Sequence, residues 1–413
     1  MRLPLLLLLF VGLSLPLLSG DAEEALRFNQ KAKLALEQGR AADAVTFLEA
    51  ALARSPDDET LIQNLAWAHY QVGEAERDAL AIDRAAAAYQ RAWDVYDGEP
   101  AYGLHLASLR LRSFRLAEAL AAIQAVLERH PDEPTAHLLL GDILALLDRL
   151  SESEAAYRVA AELSQGEDRD AALAAAERTA RQADVEADYQ TLRTSSFVLR
   201  APPGRDHNSL LGVLRTARVE VLNAFAVTHR EPALVVLYPP DAFREVTGLH
   251  DWVGGLFDRK IRLPIADARR DAEAIGASFR HEYTHLLVSE WSPRCPTFLN
   301  EGAAQLMELG RGQGMTRLLA GLEALGLSRD DVPTVEQLPD SFIGMSDRDA
   351  VRLGYLTSYA FVDHVAEHHG LPTLVKWLRA TDAQPLDEAF AAAAGRSLAQ
   401  EQALFRELLR TAP

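Results

Sequence analysis

From about residue 23 to residue 185, apolar positions recur with the 3.6-residue period of amphipathic helices, and alanine fills many of them. The pattern breaks at regular distances. AALARSP ends at Pro56, AWDVYDG at Gly98, AVLERHP at Pro131 and AAELSQG at Gly166, with an alanine six residues before each break (Ala50, Ala92, Ala125 and Ala160). Proline or glycine ends the second helix of each predicted pair, and the small residue lets paired helices approach. Near residue 195 the period changes. SSFVLRAP and PALVVLYPP read as strands, NSLLGVLRTARVEVLNAF between them as a helix, and KIRLPIA, after the turn-like WVGGLFD, as a third strand. A helix over RDAEAIGASFRHEYTHLLVSEW follows, then a loop, SPRC, and a helix opening at Pro296; the chain is helical again from 350 to Leu409. Strands precede helices here, so the second half is predicted to be a separate α+β domain.

The intervals between the breaks are 42, 33 and 35 residues. They resemble tetratricopeptide repeats, whose period is about 34 residues, with a small insertion around GEAERDAL lengthening the first. Stacked repeats form a curved surface that holds a peptide or a partner protein; a purely structural stack is the plainer alternative.

Composition narrows the function classes. A chain of 413 residues with 48% apolar and 25% charged residues is expected to form two or three compact units. A net charge of −18 argues against a nucleic-acid partner, because binding phosphates requires clustered cations. The N-terminus, MRLPLLLLLFVGLSLPLLSGDAEE, has one cation at Arg2 and an apolar run from Leu3 to Leu18 interrupted by Gly12 and Pro16. That is the pattern of a secretory signal cleaved after Gly20 or Ala22, and the run is shorter than the roughly 20 residues a spanning helix needs. A periplasmic or secreted protein with no stable membrane span is therefore expected. The sole cysteine, Cys295, allows no intrachain disulfide and is expected to be a buried, inert thiol.

The chemistry lies in HEYTH, residues 281–285, and FLNEGAA beginning at Phe298. Residues four apart share a helix face, so His281 and His285 can present two imidazoles to one ion. Glu282, about 100° around the helix from His281, can reach the ion's water without binding the ion. Catalytic zinc takes three protein ligands and keeps a fourth position open, and Glu301, one helix further on, is the candidate third donor. His69, His105, His130 and His137 have no such acid partners and are expected to be hydrogen-bonded or solvated. His364, His368 and His369 precede a glycine and read as a helix C-terminus.

HEYTHLLVSE followed by PTFLNEGAA resembles the gluzincin metallopeptidases, specifically the peptidase MA-like domains of bacteria with HExTH and a WLNEGLA-type second motif; the likeness spans about residues 195–380. It implies that His281, His285 and Glu301 hold Zn2+ and that Glu282 is the general base of metal-assisted hydrolysis. It also implies a Tyr or His donor for the oxyanion on a later helix, and Tyr355 in GYLTSYAFVDHV is the candidate, with Tyr359 on the same face. Two positions depart from the pattern: Phe298 replaces a common Trp, and Gln305 stands where an Asp orients a histidine, leaving the partner of His281 open. KIRLPIA occupies the place of the edge strand beside which a peptide binds, with Gly254 and Gly255 permitting close approach. WVGGLFDRKIRLP lacks the glutamate that holds a free amine in aminopeptidases, which favours an endopeptidase unless Asp258 substitutes.

The expected organisation is a signal peptide at 1–22, a tetratricopeptide-like all-α solenoid at 23–185, and a peptidase MA-like α+β domain at 195–413. In that domain a small mixed sheet supports the active-site helix and a helical C-terminal part. The expected function is an exported zinc endopeptidase whose repeats recruit peptide or protein substrates or a partner. The alternatives are a repeat scaffold or adaptor in the bacterial cell envelope with a dispensable catalytic fold, and a metallohydrolase acting on a non-peptide amide.

Overall fold

A computed structural model describes residues 20–412 apart from 80, 114, 205, 248–255, 258, 259, 266–271, 343 and 344. The expected signal segment up to residue 19 and the expected contributions of Gly254, Gly255 and Asp258 lie outside the described residues. The chain divides into two compact units after Glu177.

The first unit is built of helix pairs. α1 (Gly20–Glu37) packs on α2 (Ala41–Leu52), α3 (Glu59–Asp78) on α4 (Ile82–Val95), α5 (Pro100–Arg112) on α6 (Leu116–Arg129) and α7 (Pro134–Leu146) on α8 (Leu150–Leu163). Pro56, Gly98 and Pro131 fall between pairs, while Gly166 opens α9 (Gly166–Glu186). The insertion expected around GEAERDAL takes the form of extra helix: α3 has 20 residues where α5 and α7 have 13. Two starts share one device, in which Glu99 and Glu133 accept the N–H of Ala101 and Thr135 while Pro100 and Pro134 occupy the first turn. Pair packing also repeats. The rings of Tyr89 and Tyr157 lie on Gly73 and Gly141, where a β-carbon would come within 2.6 and 2.5 Å of them. Each tyrosine hydroxyl donates to the acid that follows the glycine, Glu74 or Asp142. Ala92 and Ala160, two of the alanines before the breaks, are fully buried.

In the second unit five strands form one sheet in the order β1-β2-β3-β5-β4. β2 (Phe197–Ala201), β3 (Ala233–Tyr238) and β5 (Ile261–Pro264) run parallel, with antiparallel β1 (Gln190–Arg193) and β4 (Leu256–Phe257) at the edges. α10 (His207–Phe225) joins β2 to β3, and α11 (Pro240–Thr247) follows β3. Phe197 and Leu199 of β2, Val235 and Leu237 of β3, and Ile261 and Leu263 of β5 project to one face, where α10 and α12 (Ala272–Trp291) cover them. On the other face the Glu186 carboxylate pairs with Arg200 at 2.8 Å and accepts the Tyr238 hydroxyl, satisfying charges that burial would otherwise penalise.

One expectation is corrected here. The KIRLPIA strand is not an edge: β5 lies between β3 and β4, and β4 takes the edge beside it. Side chains of β5 are buried on both faces of the sheet, Ile261 and Leu263 in the core under α10 and α12 and Arg262 against the Tyr238 hydroxyl on the other side.

The remaining helices are α13 (Thr297–Leu309), α14 (Gly314–Leu325), α15 (Arg348–His369), α16 (Leu371–Ala380), α17 (Leu386–Ala394) and α18 (Leu398–Thr411). They enclose a second core around Phe298, Leu299, Val362, Trp377 and Phe405. Phe298 packs beside Phe361 and Trp377 at centroid distances of 6.5 and 6.1 Å. Pro296 is the N-cap of α13, one residue before its first turn. Among the described residues no helix is long and apolar enough to cross a membrane.

Candidate metal centre

α12 is held against the sheet by Phe279, Tyr283 and Leu287, all buried in its core. That anchoring turns the opposite face, with His281 and His285, toward α13. His229 reinforces the orientation, its Nδ1 bonding the Tyr283 hydroxyl at 2.9 Å and its Nε2 lying 3.1 Å from Glu290. On α13, Leu299 and Ala303 face the second core while Asn300, Glu301 and Glu308 turn to the histidines.

His281, His285 and Glu301 converge, with one donor atom from each lying within 4.8 Å of the others. The Nε2 atoms of His281 and His285 are 3.1 Å apart and stand 3.6 and 3.5 Å from one atom, Oε2 of Glu301. A triangle with sides of 3.1, 3.5 and 3.6 Å has a circumradius of about 2.0 Å. An ion at its centre is at the distance zinc keeps from imidazole nitrogen and carboxylate oxygen, about 2.0–2.2 Å. Glu301 Oε2 is buried with no hydrogen-bond partner.

The outer nitrogens make the fit more specific. His281 Nδ1 lies 2.8 Å from Glu308 Oε2, and His285 Nδ1 lies 2.9 Å from Asn300 Oδ1. Both acceptors require N–H at Nδ1, so in the neutral rings both Nε2 atoms carry lone pairs pointing into the same space. A proton, a cation or a donated hydrogen bond relieves that juxtaposition.

The electrostatics agree. Burial by itself would lower the pKa of His281, but Glu301, Glu308 and Glu282 raise it well above the usual value; His285 is likewise raised by Glu301 against its burial. Burial opposes ionisation of Glu301, yet the two imidazoles hold it far below the usual carboxylate range. A field that favours added positive charge on two rings favours a divalent cation at the same point. Glu282 is buried, and burial raises its pKa.

Among the other candidates, Tyr355 is half-buried on α15 with its ring 4.8 Å from Phe342. Burial, and then the charges of Glu301 and Glu282, raise its pKa, so its phenol lies within electrostatic reach of both carboxylates. Tyr359, expected on the same face, is buried and donates to the carbonyl of Gly310 at 2.7 Å, a structural bond. Gln305 bonds neither histidine, and its Oε1 is buried without a partner. Burial pushes the Cys295 thiol up to about 12, leaving it protonated. His364 and His369 meet Glu401 of α18 at 2.9 and 3.0 Å. His130 and His137 bond backbone carbonyls at 2.7 Å.

Sequence reasoning missed Asn300 and Glu308. Asn300 precedes Glu301 in FLNEGAA, and Glu308 follows Glu301 by seven residues, two helical turns, hence on the same face.

Two stretches, residues 35–77 and 104–168, match family models described as tetratricopeptide repeat. No curated protein matches the chain. Among solved structures, a MamA RS-1 ArsTM double mutant shares 16% identity over 39% of this chain and 97% of its own, with a TM-score of 0.27. A tetratricopeptide repeat protein from Parabacteroides merdae shares 12% identity over 81% of this chain and 99% of its own, with a TM-score of 0.34. Repeats of this kind commonly mediate protein partnerships. The helical first half of the chain therefore carries tetratricopeptide repeats.

Proposed function

We propose that the protein is an exported zinc-dependent peptidase, cleaving within chains, whose repeats engage a protein substrate or partner. The observation that carries the catalytic half is the point about 2.0 Å from three donor atoms of His281, His285 and Glu301, each imidazole braced from behind. Zinc bound there would supply Lewis-acid polarisation of a carbonyl and would lower the pKa of a water to about 7. Glu282, on the same helix and raised in pKa by burial, takes a proton from the attacking water and returns it to the leaving nitrogen. Tyr355 is the candidate donor to the developing oxyanion. The choice of a peptide bond rests on the resemblance of HEYTH and FLNEGAA to gluzincin motifs, and export on the apolar N-terminal run.

A second reading has the more direct support from the comparisons, since both family matches fall on the repeats. In it the protein is an interaction scaffold of the cell envelope, and hydrolysis is dispensable. One pair of measurements separates the two. Purified protein should contain one zinc per chain and cleave casein, with cleavage blocked by 1,10-phenanthroline. Glu282→Gln should keep the zinc and lose activity by about 100-fold to 10,000-fold. Casein left intact by the zinc-loaded wild type would overturn the endopeptidase and leave the scaffold, or a hydrolase of short amides if those are cleaved.

A further inference from the structure

We infer that Arg280, which touches none of the proposed ligand atoms, is a positioning residue that sets α13 in register with α12 and so aims His281. Its guanidinium divides three ways. Nε donates to the Met307 carbonyl at 2.9 Å, Nη2 lies 3.5 Å from the Glu308 carbonyl, and Nη1 pairs with Glu220 of α10 at 3.0 Å.

The first two acceptors belong to the last turn of α13, where helix carbonyls run out of intrahelical donors. Leu306 still receives the N–H of Gly310, whereas Met307 and Glu308 are met by the arginine. A cation at a helix C-terminus is also favoured by the aligned peptide dipoles. The next residue of α12, His281, takes the side chain of the same turn through its 2.8 Å bond with Glu308. Consecutive residues of one helix thus grip both the backbone and the carboxylate of one turn of the other. Glu301 lies two turns upstream on the same face, so a grip that stops α13 from sliding or rotating sets ligand and brace together. Lysine cannot reproduce the grip, because one ammonium does not supply a planar fork of donors.

The inference rests on the metal-site reading above. The test uses the full chain and measures zinc affinity by competition with a chromogenic chelator, the visible spectrum of the Co2+-loaded protein, and the melting temperature. Arg280→Met is expected to weaken zinc binding about 10-fold, as loss of an outer partner of a metal site does, with one zinc still bound and the Co2+ bands shifted. Arg280→Lys, which keeps the charge and folds more readily, should recover only part of the affinity. Because the two residues act on one turn, combining Arg280→Met with Glu308→Gln should weaken binding by less than the product of the single effects. Unchanged zinc affinity and Co2+ bands in folded Arg280→Met and Arg280→Lys proteins, or independent effects in the double variant, would overturn the positioning role while leaving the metal site standing. A wild type that takes up neither Zn2+ nor Co2+ would overturn both.

Discussion

At the scale of single residues, what His281 can bind depends on the ring nitrogen facing away from the site. Glu308 and Asn300 assign that nitrogen its proton in the two histidines and leave the inner nitrogens bare. Nothing local to HEYTH decides this, since the acceptors lie 27 and 15 positions along the chain. Gln305 does not take that role, and the acid that does, Glu308, lies three residues later. A separate buried cluster yields a prediction about acid. His364 faces Glu401 of α18, whose other carboxylate oxygen meets His369 and Arg396, with His368 beside it on its own helix, and burial first, then the neighbouring His368, lowers its pKa to about 4. The unfolded chain keeps the ordinary value of about 6.5, so between pH 6.5 and 4 it holds a proton that the folded chain lacks. Stability should therefore fall as pH drops through that window. His364→Gln should flatten the slope in urea-unfolding midpoints measured from pH 7 to 4, and an unaltered slope would remove this histidine from the account.

Among elements, the approach of α13 to α15 determines where Glu301 can stand. Gly302, the neighbour of Glu301, has its Cα against α15 so closely that a β-carbon would lie 2.5 Å from the Ser358 carbonyl and 2.5 Å from Val362. A helix backbone cannot yield there as a flexible side chain would. Gly302→Ala is expected to destabilise the protein by about 1–3 kcal/mol, read as a lower denaturant midpoint. A midpoint equal to wild type would mean that the helices separate freely. The elements also show what local pattern conveys. α10, α12, β2 and β3 follow directly from periodicity, since each presents one apolar face or a continuous apolar run to its core. β1, with its exposed QTLR, carried little such signal, and α11 drew no expectation although it is amphipathic, with Phe243 buried. β5 was visible as a strand but not as an interior one, because strand order depends on distant pairings.

At the scale of the molecule, the three side chains of the proposed metal site lie wholly within the unit that follows Glu177. An ion that binds only the folded form stabilises it by about 2.7 kcal/mol at a free concentration of 100 times its Kd. Calorimetry with and without a chelator should therefore move the transition of the second unit by about 5 to 10 °C and leave that of the repeats in place. His281→Ala should abolish the shift, and a chelator that moved the repeat transition as well would show metal bound elsewhere. By itself the amino-acid sequence determined what neighbouring residues decide: the repeat period, the helix carrying two histidines four apart, and Glu301 as a candidate donor. Helical periodicity and spacing are properties of a few consecutive residues, so they survive without a fold. Only the tertiary structure decided that Glu301 Oε2 comes within 3.6 Å of both imidazoles, that Glu308 rather than Gln305 braces His281, and that β4 covers β5. Those facts depend on how α12, α13 and the strands pack. Packing is settled by the summed burial of side chains scattered along the chain, which no short window contains.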